Sequence, residues 1–85
     1  MKLAQKLLRI RESLGLTQGQ LIEKLEFDDS ISQQHVSSWE KAKREPDLVS
    51  LLLYARGAGV CVEVLMDDEL ELPADLPRKK TFHPH

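Results

Sequence analysis

A run of hydrogen-bonding side chains between Ser32 and Glu40 is the part of the chain best suited to chemistry. Ser32 is a favourable N-cap for a helix, and Gln33 and Gln34 would stand on the first turn of that helix. A side-chain amide can pair bidentately with N6 and N7 of adenine in the major groove of DNA. The N-terminal end of a recognition helix contacts base edges, so amides there are well placed. The alternative is a polar, solvated start of a helix.

Residues suited to catalysis or metal binding are sparse. The single cysteine, Cys61, lies between two valines and is expected to be a small packed residue. It cannot form an internal disulfide, so the cysteine content gives no sign of secretion. His83 and His85 have no third ligand near them, and His35 is distant in sequence. We expect a protein that is not an enzyme and that binds no metal and no cofactor.

Neither a signal peptide nor a membrane helix is predicted. Lysines and arginines interrupt the N-terminal residues. The apolar stretch from Leu48 to Met66 contains Arg56 and Glu63, and a central arginine costs about 2.5–3.5 kcal/mol on insertion. We therefore expect a cytoplasmic protein without membrane contact.

Size and charge limit the possible partners. The 85 residues suffice for one small domain with a single core. The net charge is −2, whereas a nonspecific nucleic-acid binder is strongly basic. Residues 1–46 carry eight Lys or Arg and seven Asp or Glu, a balance of +1, and the remainder carries four and seven, a balance of −3. Any electrostatic attraction to DNA should be local and modest.

The spacing of apolar residues predicts five short helices. The inward positions of the first helix recur every three or four residues: Leu3, Leu7, Ile10 and Leu14. Gly15 ends this helix, and Thr17 caps a second one. The segment 27–31 reads as a turn, after which Ser32 caps a third helix with Val36 and Trp39 buried.

The second half of the chain continues this pattern. Pro46 ends the third helical segment, because the residue before a proline avoids helical geometry. Asp47 caps a fourth helix, whose expected inward residues are Leu48, Leu51, Leu52 and Ala55. Val62, Leu65 and Met66 predict a short fifth helix. The expected fold is all-α, with a compact domain at residues 1–68 and an acidic, then basic, flexible tail with prolines at residues 69–85.

Several motifs occur together over Leu7 to Met66. They include Gly15-Leu16-Thr17-Gln18, then Trp39-Glu40, and Arg44 followed by Pro46. In this combination the chain resembles the helix-turn-helix family of phage repressors and Cro, also called the Xre family. Further matching residues are Leu7, Ile10, Arg11, Leu21, Lys24, Leu25, Val36, Ser37, Lys43, Leu51, Leu52, Ala55, Gly59, Val60 and Leu65.

The resemblance implies a five-helix, repressor-like DNA-binding domain whose third helix lies in the major groove. It assigns four residues to base contacts: Gln33, Gln34, Ser37 and Ser38. It assigns six to contacts with the DNA backbone: Thr17, Gln18, His35, Lys41, Lys43 and Arg44. The last three could instead be a solvated helix end that the helix dipole favours. The resemblance also implies an ion pair between Arg11 and Glu40.

Three departures from the family pattern affect the turn and the helix ends. Glu26 stands where the family usually has a glycine, and the linker from there to Ser32 is longer. Ala42 stands where a glycine commonly ends the third helix, and a left-handed backbone there would cost roughly 1 kcal/mol. Cys61 replaces a frequent serine cap. A longer turn could shift how the recognition helix is presented.

The leading interpretation is a sequence-specific binder of double-stranded operator DNA that acts as a transcriptional regulator, with the repressor role implied by the resemblance. Two copies on half-sites are expected, and Val62 to Leu72 is the expected interface of the homodimer. The alternative is a protein-interaction module, such as an antitoxin-like partner protein. The acidic stretch from Asp67 to Asp75 favours that alternative.

Overall fold

The computed structural model describes residues 2–74 and residue 76, and within them it contains five helices and no strand. The helices are α1 (Leu3–Leu14), α2 (Gln18–Lys24), α3 (Gln33–Glu40), α4 (Leu48–Ala58) and α5 (Val62–Met66). The predicted all-α fold with five helices is therefore confirmed. None of these helices combines the length and apolarity that a membrane crossing requires.

Helix α3 packs against α1 and α2, while α4 and α5 pack against α1 and against each other. The side chains buried most completely come from every helix: Leu7, Ile10, Leu21, Val36, Tyr54 and Leu65. Trp39 is 4% exposed, as its position beside Val36 predicts. The core thus holds the buried face of α3 and leaves the opposite face to solvent.

Four of the five helices end in the same way, with one residue in the left-handed conformation. The N–H of the next residue then donates to the carbonyl five positions earlier, at 2.9–3.2 Å. Glycine occupies this position after α1 and α4, whereas α2 and α3 use residues with a side chain. The four residues are Gly15, Glu26, Ala42 and Gly59, with φ between 58° and 70°. The departures at Glu26 and Ala42 therefore keep the glycine-type backbone.

Two expectations about α4 and the turn after it are wrong. Leu48 and Leu52 are exposed by 57% and 37%, because Ser50, Tyr54 and other residues fill the inward face. Tyr54 is completely buried, so the helix is rotated away from the face that its leucines suggest. Cys61 is exposed at the N-cap of α5 and not packed.

The core extends beyond residue 68. Leu72 and Leu76 are each 7% exposed and belong to the hydrophobic core, although their proline-rich surroundings give no helical spacing. Lys6 is also buried, and its Nζ donates to the carbonyls of Val64 at 2.5 Å and Asp67 at 2.8 Å. These bonds hold α5 and its C-cap residue against α1. Two positions of the expected tail are thus packed, and residues 75 and 77–85 lie outside the described residues.

We expect Ala42→Gly to raise the free energy of unfolding by up to about 1.5 kcal/mol. A left-handed residue with a Cβ costs about 1–2 kcal/mol, and the greater freedom of glycine in the unfolded chain offsets about 0.5–1 kcal/mol of the gain. Urea denaturation of both proteins measures the difference.

Ala4→Gly is the matched control, because Ala4 lies in the first turn of α1 and does not have a positive φ. There the same substitution should lower the free energy of unfolding by about 0.5–1 kcal/mol. Equal losses in the two variants would show that the left-handed backbone at Ala42 carries no strain.

Candidate nucleic-acid interface

The face of α3 opposite the buried Val36 and Trp39 carries small or polar side chains. Positions three, four and seven residues apart share one face of a helix. On α3 and its C-cap these positions are Gln34, Ser37, Ser38 and Lys41. Gln34 and Lys41 are exposed, and both serines are half-buried. Three of the four predicted base-contacting residues thus lie on one outward stripe.

Gln33, the fourth predicted base-contacting residue, lies at the edge of this stripe. Its side chain is exposed and extends over Gly19 in the first turn of α2. The Gln33 side chain makes no hydrogen bond within the part of the chain that the structure describes. Its amide donors and its carbonyl oxygen are therefore open to a ligand.

His35 supports the start of α3. The backbone N–H of Ser32 donates to Nδ1 of His35 at 3.0 Å, and the ring lies 6.3 Å from the Trp39 ring. Because Nδ1 accepts this bond, a neutral imidazole carries its proton on Nε2 and can donate from that atom. His35 therefore fixes the entry to α3 and retains one donor for a further contact.

The start of α2 is fixed by a reciprocal cap. Thr17 Oγ1 accepts from the N–H of Gln20 at 3.1 Å, and Gln20 Oε1 accepts from the N–H of Thr17 at 2.9 Å. Gln18 Nε2 donates to Oε1 of Glu40 at 3.1 Å. The cap occupies the Thr17 side chain, and Gln18 connects the first turn of α2 to the end of α3.

The expected ion pair between Arg11 and Glu40 is present. Arg11 Nε lies 2.7 Å from Glu40 Oε2, and Arg11 Nη2 donates to Oε1 at 3.1 Å. The side chains are 19% and 6% exposed. A further bond from Nη1 to the Leu16 carbonyl, at 3.0 Å, holds the turn between α1 and α2. The hydrogen bond to Glu40 raises the pKa of Arg11 above its ordinary value.

The longer turn between α2 and α3 is folded onto the core. Phe27 is 7% exposed, and its ring centroid lies 6.0 Å from that of Trp39 and 5.7 Å from that of Tyr54. Asp28 accepts the N–H of Ser30 at its side chain and that of Ile31 at its carbonyl. The turn is thus held by an aromatic anchor and a local hydrogen-bonded loop.

The basic cluster follows α3 directly and consists of Lys41, Lys43 and Arg44, all of them exposed. The backbone N–H groups of Lys43 and Arg44 donate to the Ser38 carbonyl, at 2.9 and 3.4 Å. The left-handed residue Ala42 turns the chain between Lys41 and Lys43. The cluster is therefore attached to the same end of α3 as the outward stripe.

Two residues that support this surface were not predicted as part of it. Gly19 lies against Gln33, and Phe27 anchors the turn. A lone aromatic residue within a polar turn is a sequence signal for an anchor, whereas the contact between Gly19 and Gln33 has no sequence signal. Within the described residues, no group of three or more His, Cys, Asp or Glu side chains could hold a metal ion.

A comparison of the sequence with known families gives one match. The family described as Helix-turn-helix matches residues 7–61. The chain therefore belongs to the helix-turn-helix family, of the Xre and Cro type, which is a class of DNA-binding transcription regulators. Neither the curated proteins nor the solved structures gave a significant match.

We expect Glu40→Ala to lower the free energy of unfolding by about 1–3 kcal/mol. The pair is only partly buried, so its loss should cost more than that of an exposed pair and less than that of a fully buried one. A double-mutant cycle with Arg11→Ala, measured by urea denaturation, isolates the coupling between the two side chains.

Glu45→Ala is the control, since Glu45 is exposed and follows the same helix. Its removal should change stability by less than about 0.5 kcal/mol. Additive losses in the Arg11 and Glu40 variants would mean that the ion pair contributes nothing to stability.

Proposed function

We propose that this protein binds double-stranded operator DNA in a sequence-specific manner, with α3 in the major groove, and represses transcription. The outward stripe of α3 carries this proposal: its side chains hydrogen-bond or are basic, and none is apolar. The helix is the right element for the groove, whose width admits an α-helix. The repressor role rests on the resemblance to phage repressors, and a regulator of this kind acts in the cytoplasm.

The base-reading role falls on Gln33, Gln34, Ser37 and Ser38. The two amides can each pair bidentately with an adenine, and a serine hydroxyl can donate or accept. Gln33 and Gln34 belong to the first turn of α3, at the end that enters the groove most deeply. We expect them to contribute most of the discrimination between base pairs.

The positioning role falls on groups at both sides of that stripe. Gln18 and Thr17 lie at the start of α2, and His35 has Nε2 available for donation. Lys41, Lys43 and Arg44 follow α3, and their exposure supports contact with phosphates. Contacts of this kind set the register of the protein on DNA and carry no sequence information directly.

Selection from random double-stranded oligonucleotides with the purified protein tests the proposed function. The expected result is enrichment of one short motif repeated with two-fold symmetry. An unenriched pool would contradict sequence-specific binding. A reporter gene that carries the enriched motif then tests repression, because expression should fall when the protein is supplied.

We expect Gln33→Ala and Gln34→Ala to lower the preference for the selected site over a scrambled duplex, each by about 1–3 kcal/mol. Lys43→Ala and Arg44→Ala should weaken binding to both duplexes alike and reduce the salt slope by roughly one unit each, since each removes one phosphate contact. Fluorescence anisotropy at several salt concentrations measures both quantities.

Arg56→Ala is the matched charge control, because Arg56 is an exposed cation in the last turn of α4 and does not belong to the basic cluster. It should leave the salt slope unchanged. If the two glutamine variants retain the preference of the original protein, these residues do not read bases. If Lys43→Ala, Arg44→Ala and Arg56→Ala reduce the salt slope equally, the basic cluster does not make a local contact with phosphates.

We propose that two copies bind one operator and contact each other through Val62 to Leu72. One short recognition helix reads few base pairs, so two copies on half-sites about 34 Å apart are needed for a full site. Met66 and Leu70 support this interface, since they are 59% and 42% exposed. A second apolar face on α4 is formed by Leu48, Val49 and Leu52, and it offers the competing interface.

We expect Met66→Asp to convert two-to-one binding on a full site into one-to-one binding. The apolar contact between the copies would bury the aspartate charge without a partner. Val49→Asp places the same charge on the competing face and should retain two-to-one binding. Sedimentation velocity with and without the full site measures the stoichiometry. A one-to-one complex of the original protein would contradict dimeric binding, and the reverse pattern would move the interface to α4.

The second candidate function is a protein-interaction module of the antitoxin-like kind. Exposed acidic residues surround the exposed Met66 and Leu70, and such a mixed surface suits a basic protein partner. The acidic residues are Asp67, Asp68, Glu69 and Glu71. An unenriched oligonucleotide pool would favour this function over the first.

A further inference from the structure

Gly19 lies beneath the side chain of Gln33, at the crossing of α2 and α3. A Cβ placed on Gly19 would stand 2.7 Å from Nε2 of Gln33 and 3.5 Å from Cδ. Atoms do not pack that closely without a hydrogen bond, so an alanine here would have to displace the amide. The space that a methyl group would fill is occupied by the end of Gln33.

The backbone gives no other reason for glycine at this position. Within the described residues, the glycines with positive φ are Gly15 and Gly59. Gly19 has ordinary helical geometry inside α2, where glycine weakens the helix relative to alanine. We therefore connect the glycine at this position, and the stability that α2 loses through it, with the contact to Gln33.

We propose that Gly19 is a positioning residue for base recognition, because its missing side chain lets α2 hold the Gln33 amide in one orientation. This inference rests on the proposed function. A glutamine side chain has many rotamers, and ordering one on binding costs entropy. A surface that confines the side chain before DNA arrives removes part of that cost. The amide keeps its donors and its acceptor for N6 and N7 of one adenine.

The neighbouring contact makes this surface rigid. Gln18, next to Gly19, donates to Glu40, which is itself paired with Arg11. The first turn of α2 is thus fixed to the C-terminal end of α3 through Gln18, while Gly19 contacts Gln33 at the N-terminal end of α3. Any displacement of the Gln33 amide must therefore come from rotation of that flexible side chain, since the two helices are held together.

The test compares Gly19→Ala, Gln33→Ala and the double variant. Binding is measured on the selected operator and on a set of duplexes in which each base pair is replaced in turn. Gln33→Ala should lose about fivefold to 150-fold of discrimination at one base pair. Gly19→Ala should lose discrimination at that same base pair and at no other. In the double variant, the alanine at position 19 should add no further loss.

Stability should move in the opposite direction. Alanine is the better helix former, and the atom it displaces is the end of a flexible side chain. Gly19→Ala should therefore raise the thermal midpoint by about 2–8 °C. The same gain is expected from Gly19→Ala in the Gln33→Ala background, where no glutamine amide stands close to position 19. A fall in the midpoint in that background would overturn the proposal.

Gly57→Ala is the matched control. A Cβ at Gly57 would collide with the Leu25 side chain, so this variant also introduces a clash between helices. It involves no predicted base contact, and its preference at every base pair should equal that of the original protein.

The outcomes separate this inference from the proposed function. An original protein without any base preference would overturn both. If Gln33→Ala changes one base preference and Gly19→Ala does not, sequence-specific binding stands and the positioning role of Gly19 is wrong. The same conclusion follows if Gly57→Ala changes that base preference as strongly as Gly19→Ala does, because a general loosening of the fold would then explain the effect.

Discussion

The placement of α3 depends on the hydrogen bonds that the Glu40 carboxylate accepts. One carboxylate accepts two bonds from Arg11 on α1 and one from Gln18 on α2, so three helices meet at one 6% exposed side chain. Because this carboxylate has little contact with water, the loss of a partner costs more than it would in an exposed pair. The end of α3 therefore cannot move relative to α1 and α2 without breaking charged hydrogen bonds. A helix that reads base edges needs this kind of fixed support.

The beginning of α3 is held by different means, and this explains how a longer turn is tolerated. Phe27 packs into the aromatic cluster with Trp39 and Tyr54, and His35 accepts the N–H of Ser32. Phe27 lies at the beginning of the turn and Ser32 at its end, so the additional residues lie between two fixed points. The turn is thus anchored at both of its ends, and the end of α3 is fixed separately through Glu40. The additional residues are accommodated without loss of these contacts.

The helices could be predicted from the sequence because apolar spacing and capping residues are local signals. The pairing of Arg11 with Glu40 followed from the resemblance, since nothing local connects residues that far apart. Spacing failed on α4, where leucines occupy both faces and only the packing of Tyr54 decides which face is inward. It also failed at Leu72 and Leu76, which are buried without a helix around them. The contact between Gly19 and Gln33 depends on the crossing of two helices, which no spacing encodes.

The charge of the chain constrains how it can bind DNA. Nonspecific affinity grows with the number of phosphates that cations neutralise, and the described interface offers three exposed cations at the end of α3. A net charge of −2 adds little long-range attraction. Binding to random DNA should therefore be weak. Under the proposed function, hydrogen bonds to bases would supply a large share of the affinity for the operator. One helix turn of amides offers few such hydrogen bonds. The low charge therefore supports the proposal that two copies act on one site, as the short recognition helix does.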